Sequence, residues 1–176
     1  MRWIWIDRIV EHEPGKRLVT VKNVSAAEEV VHDHFPAEAT PDGELAPEPV
    51  MPNPLIVEGM AQTAGILVGH TGHFREKVVL AKIKSATFHA AARPGMTLRH
   101  TATLLNFGTA GGSTAGVTEL IDPHTGVVTQ LAEIDLMFSH VDHNMAGLDF
   151  PEENFVFTGT LTAVFAGLEP MPDAPA

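Results

Sequence analysis

Two side chains of this sequence are of the types that general acid–base catalysis uses. His34 stands at the start of a proline-rich stretch, within His32-Asp33-His34-Phe35-Pro36, and Glu58 is the one charged residue of an apolar segment. Histidine exchanges protons near neutral pH, and a carboxyl group among apolar neighbours can hold a proton for donation. A base that removes a proton beside a carbonyl group and an acid that protonates a departing hydroxyl group together eliminate water.

Two further residues have positions that suit this chemistry. Gln62 lies one helical turn after Glu58 and can orient its carboxyl group. Asn53 precedes Pro54 at the start of the same segment, where a backbone N–H and the positive end of a helix dipole can bind a carbonyl oxygen. The ordinary interpretation stays open, because a loop histidine usually lies at the surface and a helical glutamate is usually solvated.

The segment around Glu58 predicts a buried helix. Asn53 is a favoured N-cap and Pro54 a favoured first helical residue, so the helix should begin here and run to about His70. Apolar residues occupy nearly all of its sides, which is typical of a buried helix. One stripe differs, and this face is either solvated or closely approached by another backbone or a ligand. The residues of the stripe are Glu58, Gln62, Gly65 and Gly69.

Alternating apolar and polar residues, separated by short turns, predict an antiparallel sheet of about six strands. The predicted strands are residues 2–11, 17–25, 78–90, 97–106, 113–121 and 127–140. A single apolar helix needs a sheet to cover it, so the expected class is α+β, with the sheet wrapped around one central helix. The helical spacing of apolar residues also predicts a C-terminal helix over residues 154–168.

Proline dominates the stretch between His34 and the predicted helix. Residues 36–54 contain six prolines, which exclude a helix interior and a central strand. The stretch is predicted to be a long loop, and long loops of this kind are usually functional. We expect residues 37–50 to lie near the candidate site and to bury little, because acidic residues and prolines dominate them.

Length and composition restrict the class of protein. The chain has 176 residues, 44% of them hydrophobic, which fits one folded domain and excludes wholesale disorder. The net charge is −11, and residues 100–176 carry ten acidic residues and no lysine or arginine. Such a chain repels nucleic acid. The absence of cysteine excludes a disulfide scaffold, a thiol nucleophile and a cysteine zinc site.

Neither a membrane span, a signal peptide nor a metal site is expected. The longest apolar stretch, residues 54–69, is shorter than a bilayer requires and is interrupted by Glu58 and Gln62. The apolar run at residues 3–6 is too short for a signal peptide, so we expect a cytoplasmic protein. Two pairs of histidines have metal-ligand spacing without a convincing third ligand. These pairs are His70 with His73, and His140 with His143.

Five fragments, in order along the chain, are similar to motifs of the 3-hydroxyacyl-(acyl-carrier-protein) dehydratases of the FabZ type. His34-Phe35-Pro36 resembles the HFP(G) motif of that family, and residues 51–62 resemble its MPG…LIIEAMAQ helix. The remaining fragments are the opening hairpin at residues 6–24, the K-x-A-x-F…P-G-D stretch at residues 84–96 and the closing LMF strand at residues 136–138.

The resemblance implies a hotdog fold for residues 1–141, with an insertion at residues 37–50 and a C-terminal extension at residues 142–176. It implies dehydration of a 3-hydroxyacyl thioester to a trans-2-enoyl thioester, in fatty-acid or related lipid or polyketide biosynthesis, without a cofactor. The implied partners are an acyl carrier protein or coenzyme A thioester and further copies of the chain, as a homodimer or a trimer of dimers. In the family dimer, one protomer supplies the histidine and the other the acidic helix.

The resemblance also assigns roles by position. His34 matches the family's catalytic histidine, Glu58 its catalytic acid, and Asn53 the glycine whose amide binds the thioester carbonyl. The residues expected to contact substrate are Phe35, Pro36 and Ala37, of which Ala37 replaces a second family glycine. A hotdog acyl thioesterase and a non-catalytic acyl-binding protein stay open as alternatives.

Overall fold

The helix that carries Glu58 lies against a six-stranded antiparallel sheet. The computed structural model describes residues 3–33, 37–45, 47–141, 164–165 and 168. The strands of the sheet are β1 (Arg8–Glu13), β2 (Arg17–Asn23), β5 (Val78–Phe88), β6 (Thr97–Gly108), β7 (Gly111–Ile121) and β8 (Val128–His140). Their order is β1-β2-β6-β7-β8-β5, and every neighbouring pair is antiparallel. The predicted α+β class and the six-stranded sheet are confirmed.

The sheet wraps around one long helix. The other elements are α1 (Glu29–His32), β3 (Glu38–Thr40), β4 (Gly43–Leu45) and α2 (Asn53–Thr71). Helix α2 contacts β2, β5, β6, β7 and β8, and side chains such as Ile56, Met60 and Leu67 are fully buried against the sheet. The predicted burial of the helix is therefore confirmed. No helix within the described residues is long and apolar enough to cross a membrane.

The prediction that the first strand covers residues 2–11 is wrong about where the strand begins. Strand β1 begins at Arg8, and residues 3–7 form an extended segment that we call the N-terminal strap. Asp7, at the end of the strap, still bonds to β2, because its N–H donates to the Val21 carbonyl oxygen at 2.7 Å. Before Asp7 the strap leaves the sheet, and the Trp5 N–H donates to Gln62 Oε1 at 2.9 Å. Trp5 and Ile6 are buried in the core, so the strap covers α2 instead of extending the sheet edge.

The proline-rich stretch is not an unstructured loop throughout. Strands β3 and β4 pair into a short hairpin within it. The turn between them is Pro41-Asp42, and Thr40 Oγ1 donates to the Gly43 carbonyl oxygen at 2.7 Å. Proline fits a turn because its fixed φ matches the first turn position. Pro41 therefore lies in the turn, where it interrupts no hydrogen bond between strands, as it would in a central strand.

Most of the predicted C-terminal helix, residues 154–168, lies outside the described residues. Val164 and Phe165 form a short 3-10 turn, in which Val164 is buried in the core. The Phe165 ring stacks on Phe74 with a centroid separation of 5.1 Å. Val164 thus contacts the core, and Phe165 contacts the residues that follow α2.

A row of polar side chains is buried beneath α2. Thr20, His100 and Thr118 face one another across β2, β6 and β7, and all three have no exposed surface. The Nδ1 atom of His100 lies 2.9 Å from Thr118 Oγ1. Burial lowers the pKa of His100 from the ordinary 6.5 to about 4, so the ring is neutral near neutral pH.

Because His100 is buried in its neutral form, the stability of the folded protein is expected to decrease in acid. An unfolded chain protonates His100 below pH 6.5, whereas the folded chain resists protonation down to about pH 4. The free energy of unfolding should therefore fall as the pH drops through this window, by an amount on the order of 3 kcal/mol from His100 alone. Urea unfolding of wild type and His100→Met at a series of pH values measures the difference.

The control is His124→Gln, which changes an exposed histidine in the β7–β8 turn. Wild type and His124→Gln should lose stability in parallel as the pH falls, while His100→Met should lose less. Equal losses for all three proteins would show that His100 does not resist protonation in the folded state.

Candidate active site

The start of α2 differs from the predicted cap. Pro52 is the N-cap, Asn53 is the first helical residue, and no side chain caps the helix. The prediction of Asn53 as the N-cap was therefore wrong by one residue. The reason is that the Pro52 carbonyl already accepts from the amides of Leu55 and Ile56, at 2.9 and 3.3 Å.

This start leaves one amide of the first turn outside the helical bonding. Pro54 has no N–H, and the next two amides donate to Pro52. Among the described residues, the Asn53 N–H is thus the donor at this end of α2 without an intrahelical partner. Asn53 is exposed, so its N–H has the position that a carbonyl oxygen from outside the chain requires.

Glu58 lies one turn further along α2, and Gln62 fixes its carboxyl group. The Nε2 atom of Gln62 donates to Glu58 Oε1 at 2.9 Å and to the Trp3 carbonyl oxygen at 3.1 Å. The Gln62 Oε1 atom accepts the Trp5 N–H. These bonds set the orientation of the amide without ambiguity, because its oxygen faces a donor and its nitrogen faces two acceptors.

The stripe of α2 that contains Glu58 is closely approached by backbone. Glu58, Gln62 and Gly65 are half-buried, and the strap bonds to Gln62 through both of its tryptophan residues. The interpretation that another backbone approaches this face is correct at Gln62. A purely solvated stripe is excluded there.

The segment that contains His34, Phe35 and Pro36 lies outside the described residues, so its distance from Glu58 stays a prediction. The residue before it, Asp33, lines a pocket at the start of α2, and the residue after it, Ala37, is exposed. The other residues that line this pocket are Glu29, Val30, Pro52, Pro54 and Leu55.

A second pocket lies on the other side of the α2 start. Glu48 and Val50, at the end of the predicted insertion, line it together with Ala90 and Ala91. Glu48 also forms an exposed ion pair with Arg93 at 2.6 Å. Glu48 and Val50 are thus part of the lining of a pocket beside the start of α2.

Sequence reasoning missed the residues that hold Gln62 and Glu58 in place. The strap backbone bonds to Gln62 from a distant part of the chain, and no local pattern marks such contacts. His100 also reaches α2 from a distant strand, at Gly59. One signal was present: Gly59 lies in the interior of the helix directly after Glu58, and a glycine there costs about 1 kcal/mol of helix stability unless close packing requires it.

One long helix wrapped by an antiparallel sheet of this order is the hotdog fold. A thioesterase family protein from Silicibacter pomeroyi is similar, with a TM-score of 0.58 and 11% identity over 75% of this chain and 82% of that chain. The dehydratase heterocomplex ApeI:P from Xenorhabdus doucetiae is similar with a TM-score of 0.52 and 18% identity over 77% and 82%. At these identities the likeness shows the fold alone.

The sequence places the chain within this fold class more narrowly. The FabA-like domain profile matches residues 3–118, more than half of the chain, so the chain belongs to the FabA-like family. It is 40% identical over 100 residues to the 3-hydroxyacyl-(acyl-carrier-protein) dehydratase FabZ of Geobacter metallireducens, covering 55% of this chain and 60% of that protein. The FabZ protein of Caldanaerobacter subterraneus is 40% identical over 94 residues, covering 53% and 60%. The FabZ resemblance is confirmed, and the chain spans about 60% of the length of these relatives.

Proposed function

We infer that the chain removes water from a 3-hydroxyacyl thioester and leaves a trans-2-enoyl thioester. The observation that carries this inference is the carboxyl group of Glu58, which Gln62 holds in one orientation on the buried helix of a FabA-like domain. The FabZ relatives act on substrates bound to acyl carrier protein, as their names state. A thioester of that carrier or of coenzyme A is accordingly the proposed substrate.

The proposed reaction uses two proton transfers. His34 takes a proton from the carbon next to the thioester carbonyl, and the electrons of that C–H bond form the new carbon–carbon double bond. The C–O bond at the next carbon breaks, and Glu58 gives its proton to the departing hydroxyl group, which leaves as water. Proton exchange with solvent then restores both side chains.

The start of α2 supplies the third element of the mechanism. Negative charge develops on the thioester oxygen when the neighbouring carbon loses its proton. The Asn53 N–H, at the positive end of the α2 dipole, is the proposed donor to that oxygen. A backbone donor suits this role whichever side chain stands there, so the asparagine in place of the family glycine keeps the essential group.

The chain is proposed to act as a homodimer joined through β5. This strand is the last in the sheet order and, within the described residues, pairs with β8 alone. Leu80 and Ile83 on it are 40% and 47% exposed. An eleven-residue open edge with exposed apolar side chains is an aggregation risk that a second, two-fold-related copy removes by antiparallel pairing.

Replacing the exposed part of the insertion should change substrate preference more than stability. Residues 38–45 form a hairpin that pairs only with itself in the described structure, so a short glycine–serine linker in place of residues 38–47 should leave the melting temperature within a few degrees. The linker keeps Glu48 and buried Val50 in the pocket wall. Activity against a series of acyl chain lengths, with calorimetry alongside, measures both effects. An unchanged chain-length profile together with a collapsed melting temperature would reverse this view.

The experiment that tests the proposed function is an assay with short- and long-chain 3-hydroxyacyl carriers. Enoyl formation is followed by the absorbance of the conjugated thioester, and thioester cleavage by a thiol reagent in parallel. Enoyl formation without thiol release is expected. Thiol release without enoyl formation would indicate a thioesterase, and binding without either product a non-catalytic acyl-binding protein.

A further inference from the structure

At the residue after Glu58, α2 packs closely against two other parts of the chain, the His100 ring and the strap backbone. A methyl group added to Gly59 would lie 2.8 Å from Nε2 of His100 and 2.9 Å from the carbonyl oxygen of Trp5. Carbon atoms do not approach polar atoms this closely without displacing them. Glycine is therefore the residue that fits where His100 and the strap both approach α2.

The first contact of Gly59 is with the side-chain ring of His100, on the sheet. His100 has no exposed surface, and its Nδ1 is paired with Thr118 Oγ1. Within the described residues its Nε2 has no hydrogen-bond partner and faces Gly59. If Nε2 carried the proton, a buried N–H group would lack an acceptor, which costs more free energy than leaving an Nε2 lone pair against a C–H group. The favoured tautomer therefore carries its proton on Nδ1, which donates to Thr118 Oγ1. This bond fixes the plane of the ring.

The second contact of Gly59, with the strap, is connected to the Glu58 carboxyl group through two hydrogen bonds. The carbonyl oxygen of Trp5 borders Gly59, while the N–H of the same residue donates to Gln62 Oε1. Gln62 in turn donates to Glu58 at 2.9 Å. A displacement of the strap away from α2 therefore lengthens the bond that orients Gln62, and with it the bond to Glu58.

We propose that His100 and Gly59 are positioning residues for the dehydration: together they set the gap between α2 and the N-terminal strap, and so the position of the Glu58 carboxyl group. The proposal rests on the proposed function for its catalytic consequence. Both residues are buried, so the proposal gives them no contact with substrate. The polar row under the helix serves as a spacer of fixed height, which a flexible apolar side chain does not provide.

The test is Gly59→Ala, alone and combined with His100→Ala. Alanine is the better helix former, so a loss of activity does not come from the helix itself. A misplaced carboxyl group is expected to lower kcat about tenfold or more, with KM within about twofold because the binding contacts are kept. The double variant gives the helix room on the sheet side, and its kcat should recover about threefold or more over Gly59→Ala.

A fluorescence measurement follows the strap independently of activity. The chain has two tryptophans, so a Trp3→Phe background leaves Trp5 as the single emitter. Trp5 is 6% exposed, and its emission should shift to the red in Gly59→Ala and return in the double variant. Gly108→Ala is the control, since a methyl group there has no atom within 4 Å, and it should change neither quantity.

Each outcome decides the proposal. A fall in kcat with a red shift, both relieved by His100→Ala, supports it. A wild-type kcat in Gly59→Ala, a fall in kcat without the shift, or no relief in the double variant overturns it. If Gly59→Ala fails to fold, a folded and active double variant supports the spacer and an unfolded one overturns it. If the wild type lacks dehydratase activity, the proposed function fails separately, and the emission alone decides whether the spacer places the strap.

Discussion

Glu58→Gln and His34→Ala are each expected to lower kcat by about a hundredfold or more, the scale of general acid–base groups. Glutamine has the shape of glutamate, and its amide oxygen still accepts the bond that Gln62 donates to Oε1. The substitution therefore removes the transferable proton while it keeps the geometry. His34→Ala removes the proposed base. Steady-state kinetics with a 3-hydroxyacyl carrier substrate, on proteins of matched melting temperature, measures both losses.

Two surface variants serve as matched controls for this experiment. Glu133→Gln changes a carboxyl group that is 57% exposed, and His124→Ala changes an exposed turn histidine. Both should keep wild-type kinetics. Wild-type rates in Glu58→Gln or in His34→Ala would remove the corresponding residue from the mechanism.

Mixing the two inactive variants is expected to restore about a quarter of the wild-type activity, if a two-fold dimer forms two shared sites. A heterodimer of His34→Ala and Glu58→Gln protomers places both lesions in one site and leaves the other site intact. Random exchange makes half of the dimers heterodimers. The measurement is the specific activity after subunit exchange, with the exchange verified by differently tagged protomers.

The control for mixing is exchange between tagged and untagged His34→Ala protomers, which should restore nothing. A lack of recovery in the mixed pair, despite verified exchange, would place His34 and Glu58 of each site in one protomer. It would also remove the main functional reason for joining two copies through β5.

The helix and the sheet were predictable because each depends on local pattern. The apolar residues on nearly every side of α2 predict its burial, and the strict alternation of Ala132, Ile134, Leu136 and Phe138 predicts β8 and its inward face. The predicted helix, from Asn53-Pro54 to about His70, differs from α2 by about one residue at its end. The predicted strand positions likewise agree with β5 to β8 within a few residues.

The contacts that hold the candidate site were not predictable, because they join residues far apart in the chain. Trp5 bonds to Gln62 across 57 positions, and this bond holds residues 3–6 outside the strand that their aromatic and β-branched composition predicts. In the sequence, His100 looks like any other residue of an alternating strand. Its proposed positioning role depends on the absence of a side chain at Gly59, which lies in a different element.

One measurement tests the central inference most directly: incubation of the wild-type protein with a trans-2-enoyl carrier thioester in water enriched in heavy oxygen. A dehydratase runs in both directions, so the heavy oxygen should appear in a hydroxyl group on the third carbon of an acyl chain that is still attached to its carrier. Mass spectrometry of the intact carrier locates it. Heavy oxygen found instead in a released carboxylic acid, with the thioester cleaved and the third carbon unlabelled, would contradict the inference.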